Sequence, residues 1–260
     1  SSRRQRVRLT TLGTGTASPS RRVNSGQLVE AGTVTLLMDC GSGVVHRMAT
    51  LGANWLGITH VALTHFHPDH TLDLTTLLFA WRYGSLPPRA APLTILGPAG
   101  TAALLEQFAA IYGDTVRTPG FPVTVREMAP GERVELGDGV SLEARKVPHT
   151  AESVAYCVER RGARLVYTGD TAVDTALAEW AHGCDLLLAE CSLPERLAVA
   201  THLTPAQCGV LAEVAEPRRL VLTHFYPPVE EEDIREIISL RYSGEIVLAV
   251  DGWFTDIEER

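Results

Sequence analysis

The stretch Thr64-His65-Phe66-His67-Pro68-Asp69-His70 sets four side chains able to bind metal within six residues, directly after the apolar run 58–63. That run reads as a short buried strand, so the ligand-type residues stand at a strand's end. In a loop kinked by Pro68, the imidazoles of His65 and His67 can turn one way and Asp69 and His70 the other, which allows two ions to be held side by side. Neutral imidazoles and a carboxylate without thiolates suit Zn²⁺ first, with Mn²⁺ or Fe²⁺ able to occupy the same donors.

The rest of the chain bounds what this motif can belong to. A length of 260 residues with 45% hydrophobic content and no linker-like stretch points to one domain over 1–260. No apolar run approaches the twenty or so residues that span a bilayer, and Ser1-Ser2-Arg3-Arg4-Gln5-Arg6 has no apolar signal core, so a cytoplasmic protein without membrane contact is expected. Cys40, Cys157, Cys184, Cys191 and Cys208 are odd in number and lack a C-x-x-C pair, which argues for reduced core residues. A net charge of −8 is the wrong sign for a general grip on nucleic-acid phosphates.

Read in order, the pattern predicts strands over 7–12, 27–30 and 34–39, a helix ending near Gly52, and a helix over 72–83 that stops at Gly84. A strand over 93–96 and a helix over 102–112 follow. Residues 123–127, 133–136, 141–146, 153–159 and 164–167 read as strands of a second sheet. Thr204-Pro205-Ala206-Gln207 opens a helix with a capping box, and 231–240 and 245–250 read as a last helix and strand. One echo stands out: Ala62-Leu63-Thr64-His65-Phe66 returns as Val221-Leu222-Thr223-His224-Phe225. Two similar halves, with two sheets face to face and helices outside, make a four-layer αββα sandwich of the α/β class.

Three further stations pair a strand with a ligand-type residue: Val147-Pro148-His149, Val166-Tyr167-Thr168-Gly169-Asp170 and Leu222-Thr223-His224. With these in sequence, from Leu12-Gly13-Thr14-Gly15 onward, the chain resembles the metallo-β-lactamase-fold hydrolases, most of all their ribonuclease Z-like phosphodiesterase branch. The resemblance implies that His65, His67 and His149 hold one ion and Asp69, His70 and His224 the other, with Asp170 bridging. It also implies that a water shared by the ions is the nucleophile, and that Glu190 and His202, together with Asp69, carry the catalysis. Two divalent ions, two aspartates and a shared hydroxide leave about +1, which favours an anionic substrate. His46, His60 and His182 match nothing in the family pattern.

The family's long basic arm has no counterpart between His149 and Asp170, where only residues 150–169 intervene. With the negative net charge, this favours small phosphodiesters and disfavours nucleic acid. The alternatives are a ribonuclease Z-type RNA 3′ processing enzyme, or a carboxylic ester, sulfuric ester or lactone hydrolase; Tyr226 is the residue a lactonase reading would use. A non-catalytic scaffold is disfavoured because all seven ligand-type residues are present. The resemblance also accommodates a homodimer.

Overall fold

The computed structural model describes residues 6–260; of the N-terminal stretch considered above, all but Arg6 lies outside them. The first sheet runs β14-β1-β2-β3-β4-β5-β6, from β14 (Trp253–Glu258) through β1 (Arg6–Gly13), β2 (Gly26–Ala31), β3 (Val34–Met38), β4 (His60–Ala62) and β5 (Leu93–Gly97) to β6 (Val123–Glu127). The second runs β13-β12-β11-β10-β9-β8-β7, from β13 (Glu245–Leu248) through β12 (Arg219–Thr223), β11 (Leu186–Glu190), β10 (Ala163–Tyr167), β9 (Val154–Arg160) and β8 (Val140–Lys146) to β7 (Arg133–Gly137). Each sheet is antiparallel over its first four strands from the β14 or β7 edge and parallel over the rest. This repeated order is the two-halves pattern expected from the sequence.

Alternation along the strands builds the layers. Leu36 and Leu188 point between the sheets, where they pack with Leu9, Leu142 and Leu165. Their neighbours Leu37 and Leu187 point outward. On the first sheet's outer face Leu37, Val61 and Leu63 lie under α1 (Val44–Leu51), α3 (Asp73–Phe79) and α4 (Thr101–Tyr112), with Val116 of the short α5 (Asp114–Arg117) in the same cluster. On the second, Leu187, Ala189 and Leu222 lie under α6 (Thr175–Trp180), α7 (Pro205–Ala215) and α8 (Ile234–Ser239). Helices, two sheets and helices make the four layers.

Several sequence expectations shift. Helical structure begins earlier than residue 72, at α2 (Pro68–Thr71), because Pro68 sits at the first helical position, where its missing N–H costs nothing. Asp69 and His70 therefore ride a helical turn and are not on a kinked loop. Val123–Glu127 joins the first sheet, in parallel with β5, and not the second. The last helix starts at Ile234 with Asp233 as its cap, while 227–231 is a 3₁₀ turn opened by the Pro227-Pro228 pair. Strand β14, unforeseen in the sequence, closes the first sheet against β1. At α7 the capping box is as expected: Gln207 donates its N–H to Thr204 Oγ1, and Thr204 donates its N–H to Gln207 Oε1 at 3.0 Å.

Candidate metal centre

The parallel strands of both sheets end on one edge, and the chemistry-bearing residues sit there. Asp39 follows β3, Thr64 and His65 follow β4, and His149 follows β8. Asp170 follows β10, Glu190 ends β11, and His224 follows β12. Such carboxyl ends are where open α/β sheets place ligands. Gly169, at φ 56°, lets the second sheet approach the first: a Cβ there would lie 2.9 Å from that of Thr64. His224 adopts φ 59°, uncommon for a residue with a side chain, and is held there by Phe225 N–H donating to Thr14 O and Tyr226 N–H donating to Ser192 O.

All seven ligand-type residues singled out in the sequence are brought together, in two groups that share Asp170. In the first, His67 Nδ1 lies 3.0 Å from His65 Nε2 and 3.3 Å from His149 Nε2. Both of those Nε2 atoms are 3.6 Å from Asp170 Oδ2. In the second, His70 Nε2 and His224 Nε2 are each 3.3 Å from Asp170 Oδ1, and 3.8 and 3.5 Å from Asp69 Oδ2. Four donors around one Zn²⁺ at bonds of about 2.0–2.1 Å stand roughly 3.3 Å apart, so both groups have the spacing of a tetrahedral shell.

A second observation bears on occupancy. His70 Nε2, His224 Nε2 and Asp170 Oδ1 are buried without a hydrogen-bond partner, a costly condition that a shared cation relieves. The nitrogen and oxygen donor set, with Asp170 offering one oxygen to each group, fits two divalent ions.

The far side of each ring explains why these nitrogens face inward. His70 Nδ1 is 2.8 Å from Asp39 Oδ2, and His149 Nδ1 is 2.8 Å from Thr201 O. His65 Nδ1 is 3.0 Å from Thr64 Oγ1, and His224 Nδ1 is 2.8 Å from Ser192 Oγ. The carboxylate and carbonyl contacts put a proton on Nδ1 of His70 and His149, the hydroxyl contacts allow the same at His65 and His224, and in all four rings Nε2 is the atom turned to the centre. Glu190 and His202 also meet: His202 Nδ1 is 2.9 Å from Glu190 Oε1, and Glu190 further accepts from Thr171 N, Leu203 N and Ser192 Oγ. His46, His60 and His182 lie outside both groups. Tyr226 is half-buried at the rim, its ring 6.1 Å from those of His202 and His224.

Asp39 was missed in the sequence. Fully buried, it accepts from Thr64 N–H, Thr64 Oγ1, Tyr167 Oη and His70 Nδ1. A signal existed: Leu36-Leu37-Met38-Asp39-Cys40 echoes Leu187-Leu188-Ala189-Glu190-Cys191, so an acid ends a buried strand in both sheets.

The protonation pattern follows from the packing. Burial, reinforced by the neighbouring imidazoles, pushes His65 down to about 2, and burial also lowers His149. Burial opposes a charge on His70, yet the carboxylates of Asp170 and Asp39 outweigh it and hold its pKa well above the ordinary value. Asp69 is pulled down to about 2: its burial works the other way but yields to His224 and His70. Asp170 is likewise lowered, His224 and His70 overcoming its burial. The carboxylates thus favour positive charge between them, which a cation held by these residues would supply in place of the proton on His70. At His202 burial again opposes charge, but Glu190 raises the pKa to about 9.

Against known proteins, residues 35–225 match the family model described as the beta-lactamase superfamily domain. A ribonuclease Z of Mycolicibacterium gilvum (strain PYR-GCK) is 32% identical, with 94% of each chain covered. The chain belongs to the metallo-β-lactamase superfamily, in its ribonuclease Z-like branch. Among solved structures of this fold, protein YhfI from Bacillus subtilis superposes with a TM-score of 0.81 at 25% identity, covering 96% of this chain and 99% of that one. The short form of human tRNase Z gives 0.77 at 24%, covering 95% and 98%.

Family membership changes one expectation. Relatives named ribonuclease Z match this ribonuclease Z-like chain over nearly their whole length, so the disfavouring of nucleic acid drawn from net charge does not stand. The absence of an arm does: β9 and β10 are joined by the tight turn at Arg161-Gly162. No helix among the described residues is long and apolar enough to cross a membrane.

Proposed function

We propose that the protein is a dinuclear metal-dependent phosphodiesterase. The observation that carries this reading is Asp170, whose two oxygens each face a separate cluster of ligand-type side chains. His65, His67 and His149 would hold one ion, Asp69, His70 and His224 the other, and Asp170 both, with Zn²⁺ the metal that imidazole and carboxylate donors suit first. When bound, such a pair lowers the pKa of a shared water and polarises the phosphoryl group.

The protein's own part beyond the ligands falls to Glu190 and His202. Glu190 is locked by three donors, Thr171 N, Ser192 Oγ and Leu203 N, and holds His202 by Nδ1, leaving Nε2 for the substrate. With its pKa raised to about 9, His202 carries a proton at neutral pH and can pass it from Nε2 to the departing alkoxide. Asp69 both binds and, at a pKa of about 2, remains a carboxylate through the working range.

The phosphodiester is what an RNA strand and a small diester have in common, and the likeness to relatives named ribonuclease Z supports including RNA beside small diesters as a substrate class. A panel under identical Zn²⁺ or Mn²⁺ loading tests the reading. Bis(p-nitrophenyl) phosphate should be cleaved faster than p-nitrophenyl phosphate, a lactone or p-nitrophenyl sulfate. A much better rate on the lactone would overturn it in favour of Tyr226-assisted ester hydrolysis.

A further inference from the structure

Glu190 has an acceptor role beyond His202. Ser192, fully buried, donates its single hydroxyl proton to Glu190 Oε2, so its oxygen must accept at its remaining contacts, of which the Nδ1 of His224 at 2.8 Å is close and that of His202, already held by Glu190, is 3.5 Å away. We infer that Ser192 is a positioning residue, whose hydroxyl relays the Glu190 carboxylate to His224 and fixes the ring with Nε2 toward Asp69 and Asp170. One carboxylate thereby orients both the proton-carrying His202 and a ligand of the second ion.

The first sheet supports this independently. Thr64 Oγ1 donates to Asp39 Oδ2 at 2.9 Å, so it too must accept from its histidine, His65 Nδ1 at 3.0 Å, while Asp39 holds His70 directly. In each half, a buried acid grips one imidazole by itself and a second through a hydroxyl. The hydroxyl is supplied from different places: Thr64 precedes its histidine, whereas Ser192 follows its carboxylate and lies across from His224. The repetition is therefore one of chemistry and not of inherited register. Thr223, which occupies the position of Thr64 in the echo, has a buried hydroxyl without a partner, and Ser192 does its work.

The inference rests on the metal-centre reading for its consequence, but the relay can be observed without metal. In the metal-free protein, the Nδ1–H of His224 should give a slowly exchanging imidazole proton resonance, present in wild type and absent in Ser192→Ala. In Zn²⁺ titrations against a competing chelator, Ser192→Ala should weaken one of two ions about 10- to 100-fold, the range for loss of a ligand's supporting partner. Thr64→Val should weaken the other ion, and Ser192→Thr, which keeps the hydroxyl, should restore both resonance and affinity. Ser192→Ala should also keep the leaving-group dependence that His202 confers, because Glu190 still holds that ring. If wild type binds no ion but the resonance behaves as stated, the metal-centre reading fails and the relay stands. A resonance that survives in Ser192→Ala, unchanged Zn²⁺ affinity, or a threonine variant as weak as alanine overturns the relay.

Discussion

At His202, two facts separate its role from that of the ligands: its Nδ1 is spent on Glu190, and the two four-donor groups that share Asp170 are complete without it, His202 converging only with Glu190 and His224 in a third. His202→Ala should leave metal content unchanged while lowering kcat on a diester with a poor leaving group by about 10²- to 10⁴-fold. The loss should shrink for p-nitrophenolate, which departs without a proton; equal losses would mean that the ring only stabilises charge. The acid form persists below its raised pKa, so activity on poor leaving groups should fall as pH rises through about 9, and this limb should vanish in the alanine variant. Asp39→Asn tests the opposite half. Asparagine tolerates the φ of 60° at this position, so the change reads chemistry and not backbone strain. Its amide puts a donor among four donors, which should cost about 1–3 kcal/mol of stability and about 10- to 100-fold in metal affinity. Unaltered Zn²⁺ affinity would show that His70 does not depend on it. Asp39 escaped the sequence because there it reads only as the last residue of the strand over 34–39; its role appears when β3 and β4 align in parallel and bring it beside Thr64.

At the scale of elements, the strands with one buried and one half-exposed face were legible, as β7 and β8 show, because alternation marks them directly. β14 was not, since Trp253 and Phe254 are adjacent aromatics on opposite faces and blur the alternation. Phe254 is exposed and spends its face on the guanidinium of Arg8, 4.8 Å away. Asp256 completes the clasp, accepting from Arg6 at 2.6 Å and Arg8 at 2.7 Å. The hydrogen bond from Arg8 holds the Asp256 carboxyl below its ordinary pKa although partial burial opposes this. A depressed folded-state pKa gives stability that is present above the unfolded value, about 3.9, and lost as pH falls through the folded one. Asp256→Asn should therefore lower the melting temperature at neutral pH, with the gap to wild type closing as pH drops below about 4. A gap that stays constant down to about pH 3 would assign the effect to packing of β14 and not to the ion pairs.

For the whole molecule, the echo of Thr64-His65-Phe66 in Thr223-His224-Phe225 was a sound guide to two halves, though not to their superposition. β4 and β12 do not occupy equivalent places: β4 is the first parallel strand after the antiparallel four, and β12 the second. What the halves share is an edge where parallel strands deliver acids and imidazoles, and sequence spacing reveals those residues without revealing which hydroxyl links them. Net charge was the weaker guide, because 31 acidic and 23 basic residues describe the whole surface and not the site. The same numbers still predict how an RNA would be held. With no arm between β9 and β10, the anchoring falls on the few phosphates at the centre. Counterion release scales as roughly 0.7 per phosphate for single strands, so two phosphates give a slope near −1.4 in log affinity against log salt. A 3′-extended RNA bound by the metal-loaded His202→Ala protein should show a slope between about −1 and −2. A slope steeper than about −4 would require a basic track of six or so contacts elsewhere on the surface, and the site would then not be what holds the strand.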